Sequence, residues 1–135
     1  GDVAAVTASV NAGRDTHAAA LVDWFIIPNI HRDVVSALSG VTGITQRSAL
    51  GIIETFSAAS IVVAADAAVK AADVQLLDVR VALGLGGKGY ALMTGDVAAV
   101  EAAVEAGSVV AAENGLLVSK VVIPSPADVV FDQIA

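Results

Sequence analysis

At 135 residues the chain has the length of one ordinary domain, and its formal charge of −7 with a pI near 4.4 excludes a phosphate-backbone partner, which requires clustered Lys and Arg. The absence of cysteine excludes disulfides, zinc–thiolate sites and cysteine nucleophiles. A mean hydropathy of +0.79 comes from Ala and Val rather than from aromatics (4%), and no apolar run reaches the roughly 18 residues that cross a bilayer, so the excess apolar surface is expected at subunit interfaces.

In chain order, Val3, Val6, Val10, Gly13 and His17 fall at helical spacing and predict a first amphipathic helix, with His17 packed in a core or an interface. Residues 21–27 read as a strand, 31–38 as a short helix, with His31 either capping it or sitting at an outer edge, and 39–48, rich in Gly, Ser and Thr, as a linker. Next come a strand over 49–54 and a helix over 57–72 with Ala58, Val62, Ala65, Val69 and Ala72 inward. Over 74–83 the pattern alternates, with Leu77, Val79 and Val81 opposite Asp78 and Arg80; residues 84–87 make a tight loop and 88–94 return as a strand. A helix over 95–112, with Asp96 as N-cap, turns Val97, Val100, Val104, Gly107 and Ala111 inward, and Gly107 implies close approach to a sheet. A strand over 116–123 stops at Pro124 and Pro126, before a short helix over 128–134.

Two parts of this series are copies. Gly1-Asp2-Val3-Ala4-Ala5-Val6 recurs as Gly95-Asp96-Val97-Ala98-Ala99-Val100, Ile26-Ile27-Pro28 answers Val122-Ile123-Pro124, and Asp33-Val34-Val35 answers Asp128-Val129-Val130. One structural unit is used twice. Nothing ahead of Gly1 answers the stretch between Gly40 and Gly95, so the chain reads as the C-terminal half of one unit (1–38), a linker (39–48) and a complete unit (49–135). The complete unit has the order β-α-β-β-α-β, a ferredoxin-like α/β (α+β) arrangement. The opening residues carry neither a secretory signal nor an initiating Met, from which a processed, cleaved or engineered beginning is expected.

Catalytic signatures are weak. Gly84-Leu85-Gly86-Gly87-Lys88-Gly89 fits a dinucleotide fingerprint superficially, but a strand follows where a helix N-terminus must receive the pyrophosphate. A phosphate-binding Walker loop fails too, because Ala82 stands at its first Gly and Gly89 at its Ser/Thr. Neither His17 nor His31 has a partner at metal spacing, and Glu54, Asp66, Glu101, Glu105 and Glu113 read as surface acids without acid–base pairing. Trp24 stands where the other copy has Lys120, and an exposed Trp there marks an interface.

The chain resembles the bacterial microcompartment shell proteins. Ala49-Leu50-Gly51-Ile52-Ile53-Glu54-Thr55 looks like that family's first strand, and Ala64-Ala65-Asp66-Ala67-Ala68-Val69-Lys70-Ala71-Ala72 like its first helix; Gly95-Asp96-Val97 and Val122-Ile123-Pro124 complete the pattern. The tandem arrangement resembles the two-domain members that form trimers mimicking hexamers, and Pro28-Asn29-Ile30-His31, Thr45-Gln46-Arg47 and Gly84-Leu85-Gly86-Gly87-Lys88 are similar to the propanediol-utilisation type.

The resemblance implies a structural, non-enzymatic tile of a microcompartment shell in the cytoplasm. Tiles would be self-associated trimers that meet other shell proteins, without nucleic acid or membrane as partner. Lys70 would lie at the tile edge, although Ser125 and Ala127 stand where the family commonly has Arg and His. Gly84, Leu85, Gly86 and Gly87 would line a central pore for small polar metabolites. That type is associated with an iron–sulfur (4Fe-4S) cluster held by a Cys of the first-domain loop. The position here is Leu85, so this chain brings no cofactor, and a cluster requires that the missing loop supply the Cys. A companion fragment equivalent to 49–94 is expected to complete the half unit. The alternative is a trimeric ferredoxin-like regulatory protein that binds a small molecule between subunits, with Lys88 and the glycine loop supplying a charged pocket.

Overall fold

The computed structural model describes residues 1–40, 42–81 and 86–134. Its elements are α1 (Val3–His17) with a 3-10 turn (Ala18–Ala20), α2 (Arg32–Leu38), β1 (Ala49–Thr55), α3 (Ala58–Ala71), β2 (Gln75–Arg80), β3 (Gly89–Gly95), α4 (Val97–Glu113), β4 (Leu117–Ile123) and α5 (Asp128–Ile134). The four strands form one sheet in the order β2-β3-β1-β4. Every neighbouring pair is antiparallel, so each helical crossover skips one strand, as the split β-α-β reading requires.

Helices α3 and α4 pack on each other and on one face of the sheet. Ile53, Leu76, Ala91 and Met93 from the strands meet Ile61, Ala64, Ala65 and Ala68 of α3 and Val100, Ala103 and Val104 of α4. The opposite face carries a smaller cluster, in which Phe131 of α5 covers Leu50 and Leu77, with Ile44, Ile52 and Leu92 around it. Alternation along β1 divides the two clusters, Ile52 serving one and Ile53 the other. A register shift between Leu76 and Asp78 breaks it in β2: Leu77 joins the smaller cluster and Val79 and Val81 the main one, so these three do not share a face as expected.

Small residues set the spacing between layers. A β-carbon on Gly107 would stand 2.6 Å from the Ala64 carbonyl oxygen and 2.7 Å from Ile53 Cδ1. The close approach expected of Gly107 is therefore to the backbone of the neighbouring helix as well as to the sheet. The inward face of α4 otherwise follows the expected stripe from Val100 onward, with Val97 left exposed.

Several expectations are corrected. Residues 21–27 form no strand; they pair with neither edge strand, β2 or β4, because Asp23 is held on Ser57 and Phe25 and Ile27 pack on the main core instead. Helix α1 buries none of its residues within this chain, so His17 is exposed there and not part of the chain's own core. The buried face of α3 is broader than the expected stripe and includes Ser60, Ile61, Ala64, Asp66 and Ala68, because residues 23–38 cover a further side of it. Asp96 occupies the N-cap of α4, yet its side chain makes no capping bond. His31 does cap α2: its Nδ1 accepts the backbone N–H of Asp33 at 3.3 Å.

Candidate tile edge and pore loop

Lys70 lies in the last turn of α3, a favourable place for a cation. Its ammonium donates to the Asn29 carbonyl at 2.5 Å and to Asp66 Oδ2 at 2.6 Å, and 41% of its side chain remains exposed. Asp66, one turn earlier, is only 6% exposed, and its other oxygen accepts the His31 backbone N–H at 2.7 Å. Asp66 was read as a surface acid; it is instead a buried clasp that holds Pro28-Asn29-Ile30-His31 against α3. The spacing of Asp66 and Lys70, four residues apart on a helix, is the signal that the sequence offered.

A second clasp sits at the other end of α3. Ser57 caps the helix by accepting the Ser60 N–H at 2.9 Å and donates its hydroxyl proton to Asp23 Oδ2 at 2.5 Å. Between the clasps Phe25, Ile27 and Ile30 pack on the main core, and Val34 and Ala37 of α2 are fully buried there. Trp24 is 43% exposed, and Arg14 stacks over its ring at 3.9 Å. Residues 23–38 thus form a strap along α3 that ends on β2, the outer strand of the sheet.

Of the expected loop residues, Gly86 and Gly87 are exposed, with φ of +64° and +90°, a left-handed backbone that glycine adopts without strain. Gly84 and Leu85 lie outside the described residues. Gly86 and Gly87 border a cleft of about 460 Å³ whose other walls include Val22, Asp23, Phe56 and Ser57.

A polar row crosses the sheet beside this loop: Arg80 pairs with Tyr90, Tyr90 with Glu54 and Glu54 with Ser119 in register across all four strands. Arg80 Nε donates to Asp78 at 2.7 Å, and Lys88 lies 3.6 Å from Glu54. Burial, and next the negative charge of Asp78, raise the Tyr90 phenol above its ordinary value, while Arg80 pulls weakly the other way. The neutral phenol is thus favoured by folding: its contribution to stability is fully present below about pH 10 and is lost as pH rises through the raised folded value. Tyr90 is the only tyrosine, so an alkaline absorbance titration should find one ionisation above that of free tyrosine, moving down to it on unfolding in denaturant.

The chain has no thiolate to offer an iron–sulfur cluster, and among the described residues no three His, Asp or Glu side chains come together as a metal-binding group. Among them, also, no helix is long and apolar enough to cross a membrane.

Comparison with known proteins agrees with this architecture. Residues 49–126 match the BMC domain family. Over 133 residues the chain is 44% identical to the bacterial microcompartment shell protein PduT of Citrobacter freundii, a match that covers 98% of this chain and 72% of that protein. It is 49% identical over 78 residues to the shell protein EutM of Salmonella typhimurium, covering 58% of this chain and 79% of that one. A crystal structure of a microcompartments protein from Desulfitobacterium hafniense superposes with a TM-score of 0.87 at 52% identity, over 98% of this chain and 73% of the other. These relatives do not favour the small-molecule regulator. The chain belongs to the BMC-domain family of bacterial microcompartment shell proteins, and its role is structural rather than enzymatic.

Proposed function

We propose that the chain builds a perforated tile, and that its internal strap is one instance of the contact that closes the tile. The observation that carries this reading is the pair of clasps, Asp23 on Ser57 and Pro28-Asn29-Ile30-His31 on Asp66 and Lys70. They join the half unit (1–38), through the linker (39–48), to the complete unit (49–135) by different surfaces on the two sides, a heterologous contact between repeats of one structural unit. Repeated around an axis, such a contact closes a ring. The equivalent turn of the second copy, Pro124-Ser125-Pro126-Ala127, is largely exposed and ready for the next neighbour. Three two-unit chains would complete a pseudo-six-fold disc, with a companion unit equivalent to 49–94 supporting α1.

In this disc Lys70 serves the rim, its half-exposed side chain steadied by Asn29 and Asp66 for contact with an adjoining tile. Gly84, Leu85, Gly86 and Gly87 surround the axis, where backbone groups and small side chains leave an opening for small polar metabolites. The polar row from Arg80 to Ser119 flanks that opening. Any iron–sulfur cluster on the axis would depend on cysteine from outside this chain.

Electron microscopy of the assembled protein distinguishes rim from ring. Lys70→Ala should abolish sheets or tubes while leaving discrete discs, because the rim contact is lost and the Asp66–His31 clasp remains. Extended sheets that persist unchanged in this variant would remove Lys70 from the rim.

A further inference from the structure

The repeat makes two segments comparable: residues 23–38, which lie along α3, and residues 119–134, which do not. Ile26 and Val122 answer each other, and Val122 packs on the core of its own unit. Along an extended chain the residues on either side face the opposite way. Phe25 and Ile27, so placed, pack on the complete unit, and Val34 is fully buried there. The residues that answer these three, Val121, Ile123 and Val129, are exposed. One face of the repeated segment is thus covered in the first copy and open in the second.

At the Lys70 end the acceptor does little to tell the two segments apart. Both bonds there go to backbone groups, the His31 N–H and the Asn29 carbonyl, which a segment of another sequence also carries. Side chains make the difference. Phe25 is answered by the smaller Val121, the buried Ala37 by the charged Asp132, and Asp23, which accepts the Ser57 hydroxyl, by Ser119. Residues 119–134 seated on α3 would bury the Asp132 carboxylate and underfill the place of Phe25. Connectivity favours the strap further. Gln75 of β2 accepts the Thr45 N–H at 3.1 Å and donates to the Gly43 carbonyl at 2.7 Å, which pins the linker to the strand on which the strap ends. A segment tethered so closely has an effective concentration on the order of millimolar, far above that of a second copy at micromolar concentration.

We infer that the strap is a plug against like-with-like association: seated on α3, residues 23–38 exclude the 119–134 segment of a second copy, whose open face of Val121, Ile123 and Val129 fits the same site. The inference rests on the reading that the strap contact is repeated between units. It gives the strap a part in ordering the ring, because α3 is kept for the chain's own residues 23–38 and residues 119–134 for another unit.

Two full-length variants test this by sedimentation velocity over a range of concentrations. In the first, Phe25→Ser with Val34→Asp loosens the strap and leaves Ser57, Asp66 and Lys70 in place. In the second, Val121→Phe with Asp132→Ala gives the rival segment the strap's own side chains. Each should self-associate at least about tenfold more tightly than the parent chain, and adding Val129→Asp to either should restore the parent value. Trp24, the only tryptophan, lies on the strap and reports whether it is seated. In the second variant its emission should shift in step with association, as the rival displaces the strap. That variant changes only exposed side chains, so it decides the matter even where loosening the strap impairs folding. Association that leaves Trp24 emission unchanged, or that survives Val129→Asp, overturns the exclusion while the ring reading stands. If neither variant associates beyond the parent, with circular dichroism showing the second folded, the strap contact is not repeated between copies and the ring reading falls as well.

Discussion

Gly107→Ala is expected to destabilise the protein by about 2–3 kcal/mol, lowering its melting temperature by roughly 10 °C. The added carbon would lie 2.6 Å from the Ala64 carbonyl oxygen and 2.7 Å from Ile53 Cδ1. The methyl of Ile53 can rotate aside, but a backbone carbonyl inside α3 cannot, so the two helices must separate and loosen the core between them. The better helix propensity of alanine returns about 1 kcal/mol, which is too little to offset this. Gly13, the matching position in α1, has nothing within 4 Å of the same added carbon. Gly13→Ala should therefore leave global unfolding unchanged and raise helix content slightly. Calorimetry and far-ultraviolet circular dichroism of the two variants check both halves; a Gly107→Ala protein that melts within 2–3 °C of the parent, about the effect of 1 kcal/mol or less, would refute the close-packing account.

The second large effect is expected at Asp66. Asp66→Ala removes the acceptor for both His31 N–H and the Lys70 ammonium, at 2.7 and 2.6 Å, and should cost about 2–4 kcal/mol. Asp66→Asn should cost roughly half as much, because an amide oxygen still accepts the His31 N–H. Lys70→Met should cost less than about 1 kcal/mol, since that side of the pair is open to solvent. Denaturant unfolding ranks the three. Limited proteolysis adds a local readout, for release of the strap should expose residues 28–40 to cleavage before the core unfolds. If Asp66→Ala proves no worse than Lys70→Met, the clasp is not what holds the strap.

The complete unit was legible in the sequence because its signals are local and agree with one another. The apolar run of β1 and the stripe of α4 each specify an element, and the order of elements specifies the topology, although the alternation read over 74–83 is broken by the register shift at Leu77. Residues 1–38 were legible only as a copy of the chain's later part. Their strand did not form because strand structure belongs to a pair of segments, and no pattern within 21–27 can provide the second. Asp66 misled for a related reason. An acid on a helix reads as solvated, and its burial depends on backbone groups 35 residues away in a segment whose docking leaves no periodic trace. Lys70 could be placed on its helix in advance, but its carbonyl partner Asn29 could not.

The clasps carry a consequence for biosynthesis. His31 and Asn29 leave the ribosome 35 to 41 residues before the side chains that bind them. At about 5–20 residues per second, the nascent strap waits roughly 2–8 s for its acceptor helix, and longer for the sheet beneath it. During that interval Leu21, Val22 and Trp24, still partly exposed in the finished fold, have no intramolecular shelter. Translation speed through the following segment therefore becomes a lever on yield: slower codons there should favour capture of the strap by foreign apolar surfaces, and faster ones its arrival on its own helix.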